Sequence, residues 1–308
     1  MMLVDFPNYS RANPWQIKTI QTCAPMEVRV TNKLGHINCY ALHISWEDAL
    51  LRGANTLEKA NQLVVRFEEY LKAQSKRSKI IWTVHNLTSH TCSFRDAEKD
   101  LRAVIMEYAS VINLMSVKHC FIIPKKHQSK INIVPHYIEK SRFSALKKNE
   151  VLTYFKYGAD RGRKDNRYYL KLLNSGKVRK FVSDARLNME IDTAETVITK
   201  RRFTFIEADL YAQLSNFSTF YQPPKFNSGV INFLIGCKVA IFHDIDTVRY
   251  MELPESFKNF CLDLNRLESK ELQNLESMIK IDHDDLDEFI SQRCPKNVSI
   301  AFWRGVIS

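Results

Sequence analysis

The chain has 308 residues, 45% hydrophobic and 26% charged, with 45 Lys and Arg against 34 Asp and Glu and a formal net charge of +11. This is the composition of an ordinary globular protein of about two domains, and it excludes any need for disulfides or a structural metal to hold the core. The excess of base points to nucleic acid, an anionic membrane surface or a phosphate-bearing substrate.

Met1 to Pro25 reads as irregular, punctuated by Pro7, Pro14 and Pro25. A short helix over Gln16 to Cys23 opens at Pro14 or Trp15, since proline suits a first helical turn. Val28 to Val30 and Tyr40 to Ile44 read as short strands, the second leaving through His43-Ile44-Ser45-Trp46-Glu47-Asp48. Asn55 to Gln74 is an amphipathic helix. Its Leu57, Ala60, Leu63, Val64, Phe67, Tyr70 and Leu71 recur at three- and four-residue spacings, with charged residues on the other side.

Ile80 to Val84 is an apolar, strand-like run that stops at His85, and Asp96 to Ala109 then reads as a helix. Val111 to Met115 and Ile131 to Val134 follow as strands. Strands alternating with helices predict a parallel sheet covered on both faces. Tyr137 to Asn149 is charged and reads as a linker. A second alternation follows: strands over 151–155, 178–182, 203–206, 217–221 and 239–242, and helices over 166–174, 185–198, 208–214 and 228–235. Glu268 to Gln292 reads as one or two helices, the second opened by acidic residues between Asp282 and Asp287, as a helix N-terminus favours. Two α/β halves of similar size make a cleft between them the natural binding site.

The seven cysteines are scattered, odd in number and without a CxxC pair, so free thiols in a reducing compartment are expected and a zinc site is not. No signal peptide is read in the first thirty residues, and no apolar stretch approaches the ~20 residues that span a bilayer. The expected location is cytoplasmic, open to peripheral contact with the anionic inner face of the cell membrane.

Three stretches carry candidate chemistry. His85 and His90 flank a polar turn at a strand exit, where open α/β sheets place ligands. An exposed imidazole there titrates near neutrality and can act as general base; the plainer reading is a histidine that caps a turn. Gly158-Ala159-Asp160-Arg161-Gly162-Arg163-Lys164 follows a strand. Gly158 permits a tight turn, and Arg161 and Lys164 offer a fork and a point charge to phosphate oxygens, or else form a solvated basic turn. Asn227-Ser228-Gly229 leads into an apolar helix whose first N–H groups suit an anion, or are simply capped by Asn227 or Ser228.

Other patterns carry less. Asp244-Ile245-Asp246 after His243 has the form of a divalent-metal motif but lies in a turn after a strand, so no metal is expected. Neither GxGxxG nor GxxxxGK[ST] occurs, which removes the common dinucleotide and P-loop readings. The basic residues are dispersed without interleaved aromatics, so a nucleic-acid partner is not expected.

Six motifs in order resemble the GT-B glycosyltransferases of bacterial surface-polysaccharide synthesis, near the family-4-like and glucuronosyl- or mannosyltransferase branches. They are Asn13-Pro14-Trp15-Gln16, His43-Ile44-Ser45-Trp46-Glu47, Trp82 through His90, Val134-Pro135-His136-Tyr137, Gly158-(x)2-Arg161-(x)2-Lys164 and Asn227-Ser228-Gly229. The resemblance implies an α/β fold of two Rossmann-like domains with parallel sheets facing across a cleft. The acceptor domain would cover 1–140 and the nucleotide-sugar domain 150–265. A helical tail over 266–308 would pack back on the first domain.

It also implies that Gly158, Arg161, Lys164, Asn227, Ser228 and Gly229 bind the donor. Asn13, Trp46 and Asn86 would lie on the acceptor side, with His85 and His90 catalytic. The implied partners are a nucleotide sugar and a glycan or polyprenyl-diphosphate-linked acceptor, with no cofactor and no metal. Two departures stand out. Ser89-His90-Thr91 replaces the usual Pro-His-Glu, and the glutamates of an E-(x)7-E motif are absent around Asn227 to Gly236. They leave open a catalytically inactive sugar-nucleotide-binding protein of polysaccharide assembly, and charge leaves open a nucleic-acid binder.

Overall fold

Short β-branched and aromatic runs between polar turns build the sheets of this protein. The computed structural model describes residues 1–7, 15–33, 35, 38–85, 93–138, 151–153, 180–184, 197–201, 219–222, 239–242, 252–254, 261–263 and 283–308. Two compact units divide the chain. One comprises Met1–Tyr137 with Arg293–Ser308, the other Ile138–Gln292.

In the first unit six described strands pair in parallel: β1 (Met2–Phe6), β2 (Glu27–Val30), β3 (Ala41–Ile44), β4 (Lys79–Val84), β5 (Val111–Leu114) and β6 (Ile131–Ile133). Their order is β2-β1-β3-β4-β5-β6. In the second unit β7 (Val151–Thr153), β8 (Lys180–Asp184), β9 (Val197–Arg201), β10 (Thr219–Gln222), β11 (Val239–Phe242) and β12 (Cys261–Asp263) form a second parallel sheet, ordered β12-β11-β10-β7-β8-β9. The alternation read from sequence therefore delivers two parallel α/β sheets. The helices expected over 166–174, 208–214 and 228–235 and the strand over 203–206 lie outside the described residues.

Four local expectations are corrected. β1 occupies part of the stretch read as irregular, because five residues interrupted by a buried Asp5 give too little pattern to stand out. It is nonetheless paired on both sides, with β2 and β3. Val197–Arg201 is a strand where a helix was read through Ile198; the β-branched Val197-Ile198-Thr199 suits a pleated surface. Cys261–Asp263 adds an unread edge strand beside β11. A further helix, Pro295–Ile307, follows the one at His283–Gln292.

The helices of the first unit are α1 (Leu57–Gln74) and α2 (Arg95–Tyr108), joined by Pro295–Ile307, here α4 after α3 (His283–Gln292). Thr56 starts α1 by accepting a hydrogen bond at Oγ1 from the Lys59 amide at 3.1 Å, the usual side-chain cap for an orphan N–H. Alternation along the strands sends Val4, Phe6, Leu42, Ile44, Ile80, Trp82, Val84, Ile112 and Leu114 into one core with α1 and α2. Leu3, Ala41 and Ile81 face the other way, onto Trp15, Ile20, Val298, Phe302, Trp303 and Val306. That second layer consists of a π-helical turn, Gln16–Gln21, and α4. Trp303 Nε1 ties them by donating to the Ile20 carbonyl at 2.7 Å.

The second face also carries a row of polar residues, one from each of five strands. Asn132 donates to Asn113 at 2.9 Å and to the Ala301 carbonyl of α4 at 3.1 Å. Asn113 donates to Thr83 at 3.1 Å, and Thr83 meets His43 Nε2 at 2.7 Å. The carboxylate of Asp5 closes the row, accepting from His43 Nδ1 at 2.8 Å and from the Ser45 hydroxyl. A buried chain of this kind is tolerable because each group finds a partner.

Candidate functional site

Parallel sheets present their chemistry beyond the strands' carboxyl ends, and in the first unit that edge carries His85, Trp46 and His136. Thr83 and His85 share a face because side chains repeat every second residue. His85 thus leaves β4 on the side of Trp15 rather than of α1. The indole of Trp46 lies flat on its ring, centroids 4.0 Å apart and planes 11° from parallel. Trp15 meets the same ring edge-on at 4.5 Å. Trp15 also packs against His43 and Phe302.

His85 was expected to be exposed and to titrate near neutrality. It is instead buried, with 6% of its surface accessible. Burial holds its pKa well below the ordinary 6.5, with the neighbouring His43 and His136 acting in the same direction. The imidazole is neutral, a weak base held in a fixed orientation. Its Nε2 is buried and has no hydrogen-bond partner among the described residues. The half-buried His136 bonds the Tyr137 carbonyl through Nδ1 at 2.9 Å. Desolvation pushes its pKa down to about 4, opposed by that hydrogen bond and assisted by Arg293.

Trp46 owes its place to the turn that follows it. Glu47 opens a 3-10 helix, Glu47–Leu51, and its Oε1 sits 2.8 Å from an Arg102 nitrogen on α2. Trp82 Nε1 donates to the other oxygen at 3.4 Å. Arg102 also reaches Glu98 at 3.2 Å, so two buried carboxylates share one guanidinium. Burial pushes the Glu47 carboxyl up to about 7, against the pull of Arg102.

Asp5, His43 and Thr83, with Ser45 alongside, have the residue types of a nucleophilic relay. All four are buried and spend their polar atoms on one another, so the row is structural. At the opposite, amino edge of the sheet a cavity of about 480 Å³ is lined by Lys79, Lys130 and Arg304 among others. Two of these cations are committed to helix ends. Lys79 Nζ donates to the carbonyls of Val306 and Ile307 at 3.3 Å each, and Lys130 Nζ to Met106 and Glu107 at 2.9 and 3.1 Å.

Of the residues singled out from sequence, the structure brings His85 and Trp46 into contact. Asn13, Asn86, His90, Gly158, Arg161, Lys164, Asn227, Ser228 and Gly229 lie outside the described residues, as do Asp244 and Asp246. Sequence reasoning did not select Trp15, Glu47 or His136 as site residues. The signal for all three was their place within the quoted motifs.

No protein-family model matches the chain, and no curated protein matches it. Its fold does have known counterparts. It is similar to the UDP-forming α,α-trehalose-phosphate synthase of Burkholderia vietnamiensis, at 8% identity over 86% of this chain and 73% of the other, with a TM-score of 0.52. The corresponding synthase of Burkholderia xenovorans aligns at 10% identity over 87% and 73%, with a TM-score of 0.51. Both likenesses pair with two parallel Rossmann-like sheets.

The fold is GT-B.

At these identities the likeness is one of fold alone. One expectation is overturned. Nucleic acid was set aside as a partner on sequence pattern. Yet an α-glucosyltransferase solved with UDP and a 13-mer DNA is among the similar structures, at 9% identity over 92% of this chain and 86% of that one, with a TM-score of 0.45. Among the described residues no helix is long and apolar enough to cross a membrane.

Proposed function

We propose that this protein is a glycosyltransferase that moves a sugar from a nucleotide-sugar donor to a glycan or lipid-linked oligosaccharide acceptor in bacterial surface- or exopolysaccharide synthesis. The observation that carries the reading is His85 in its GT-B setting: a neutral imidazole at the exit of β4, stacked on Trp46, with Nε2 unpartnered. A buried ring of this kind makes a poor general base and a well-oriented hydrogen-bonding group. Aromatic faces beside it suit the apolar side of a sugar.

In this reading the first unit receives the acceptor, through Asn13, Trp46 and Asn86, and His85 and His90 border the transferred sugar. Arg161 and Lys164, with Gly158 and the Asn227-Ser228-Gly229 turn, hold the donor diphosphate. As the bond from the sugar's anomeric carbon to the diphosphate breaks, charge grows on the leaving group, and fixed cations there supply the largest catalytic term. The acceptor oxygen forms the new bond to the anomeric carbon, and its proton leaves on the departing diphosphate or passes to solvent. The nucleotide sugar is a substrate, and the reading uses no cofactor or metal. It sets the protein at the cytoplasmic face of the cell membrane, where a net charge of +11 favours anionic lipid.

A thermal-shift panel of UDP-, GDP-, CMP- and dTDP-sugars tests this. One nucleotide class is expected to stabilise the protein, and the double change Arg161→Ala with Lys164→Ala to abolish the shift. Donor turnover is expected to vanish in His85→Ala while nucleotide binding remains. Binding without turnover in the unaltered protein would select the inactive sugar-nucleotide binder, which Thr91 in place of the group's glutamate favours. No shift with any nucleotide, together with a mobility shift on oligonucleotides, would overturn the glycosyltransferase reading.

A further inference from the structure

The π-helical turn Gln16–Gln21 buries Gln16, Thr19 and Ile20 on one side. Ile20 is accounted for by the core it shares with Leu3, Ala41, Ile81 and Phe302. Gln16 and Thr19 are not. They are 1% and 0% exposed, yet Gln16 Oε1, Gln16 Nε2 and Thr19 Oγ1 have no hydrogen-bond partner among the described residues. A buried polar group left unpaired costs about 1–3 kcal/mol, and folded proteins retain few of them without a reason. The π geometry is itself frequent at functional sites.

A second observation comes from a different element. His85 Nε2 at the exit of β4 is likewise buried and unpartnered. Trp15, the residue before Gln16, touches the His85 ring edge-on at 4.5 Å. Four unpaired hydrogen-bonding atoms thus lie on two elements joined by one contact. Their chemistry is uncharged and mixed: a carboxamide offers donors and acceptors, a hydroxyl offers both, and a neutral imidazole nitrogen offers one or the other. Such a set matches the hydroxyls of a neutral sugar and lacks the cations a phosphate requires.

We propose that Gln16, backed by Thr19, is a binding residue of the His85 site and recognises hydroxyl groups of the acceptor sugar. The identity of the ligand as acceptor rests on the glycosyltransferase reading; the binding of a neutral hexose does not. Gln16→Met keeps the length of the side chain and removes both polar atoms, and Thr19→Val is isosteric and removes one.

Saturation-transfer NMR with methyl glucoside, methyl mannoside, methyl galactoside and N-acetylglucosamine, run beside the nucleotide-sugar panel, tests the proposal. At least one of these sugars is expected to bind the unaltered protein. Its affinity falls roughly five- to tenfold in Gln16→Met and by a smaller factor in Thr19→Val. The ligand-free melting point stays level or rises in both, because an unpaired polar group has been removed. Unchanged sugar affinity in the two variants overturns the proposal and identifies the groups as satisfied by internal water. Should Gln16→Met fail to fold, Thr19→Val alone decides by the same criterion. Nucleotide binding without binding of any sugar overturns the role of Gln16 and leaves the glycosyltransferase reading standing. Sugar binding that depends on Gln16, without nucleotide binding, supports the role of Gln16 and removes the enzyme reading. Binding of neither overturns both.

Discussion

Trp46 lies flat over His85, ring centroids 4.0 Å apart, and seals one face of an imidazole whose edge is met by Trp15. The two tryptophans keep water from the ring, and dehydration is the main reason that the charged imidazole is disfavoured.

Removing that cover changes the titration of His85. In the unaltered protein the His85 ring protons are expected to show no titration between pH 8 and 6 by NMR. In Trp46→Ala the pKa rises toward 6.5 as water reaches the ring, and the loss of a stacked pair costs about 0.5–1.5 kcal/mol beyond the buried area. A normal titration in the unaltered protein would contradict the burial of this ring.

Glu47 gives stability an unusual pH dependence. Its carboxyl has an ordinary value of 4.5 and sits at about 7 when folded. The folded state therefore holds this proton where the unfolded chain has released it. Its contribution to stability is full below pH 4.5 and is lost as pH rises through 7. At about 1.4 kcal/mol per pKa unit the change is on the order of 3 kcal/mol. Glu47→Gln should flatten that decline in urea melts compared at pH 5 and pH 8. Arg102→Met should do the opposite, leaving Glu47 and Glu98 buried without their cation at a cost of about 3–5 kcal/mol.

His136 acts with the opposite sign. Its folded pKa is lowered from 6.5 to about 4, so its contribution is present above pH 6.5 and is lost as pH falls through 4. His136→Asn should be less sensitive to acid than the parent between pH 6.5 and 4, with little difference at pH 8. Equal acid sensitivity of the two proteins would refute the assignment.

Gly305 lets α4 sit close to β6. A methyl group there would stand 2.5 Å from Asn132 Nδ2 and 3.3 Å from a Val111 methyl. The Asn132 amide has little freedom to retreat, because it bonds Asn113 and the Ala301 carbonyl. Gly305→Ala should cost about 1–3 kcal/mol as an overpacked contact, despite the better helix propensity of alanine. Amide exchange should speed up first along α4 and at Asn132.

Local pattern made much of this fold legible. The helix Leu57–Gln74 declares itself through the 3.6-residue recurrence of Ala60, Val64, Phe67 and Leu71, all of which are buried. The strand at Lys79–Val84 follows from an apolar run halted at His85. Repeated strand–helix alternation was enough to predict parallel sheets, because parallel strands need crossover connections. By contrast, β1 is five residues long and α4 follows what read as the chain's last helix. The signal for α4 was Pro295 followed by Val298, Phe302 and Val306 on one face.

By itself the sequence determined the periodicities, and with them an α/β chain with a histidine at a strand exit and a base-rich composition. Tertiary structure decided what those residues experience. Asp5, His43, Thr83, Asn113 and Asn132 are far apart along the chain and form one row only because five parallel strands bring them together, Asp5 level with His43, and Thr83, Asn113 and Asn132 level with one another two residues beyond the partner of His43. His85 was legible as a position and not as a chemical state. Its neutrality comes from Trp46 and Trp15, delivered by two other segments, and burial is a property of assembled neighbours that no local pattern contains.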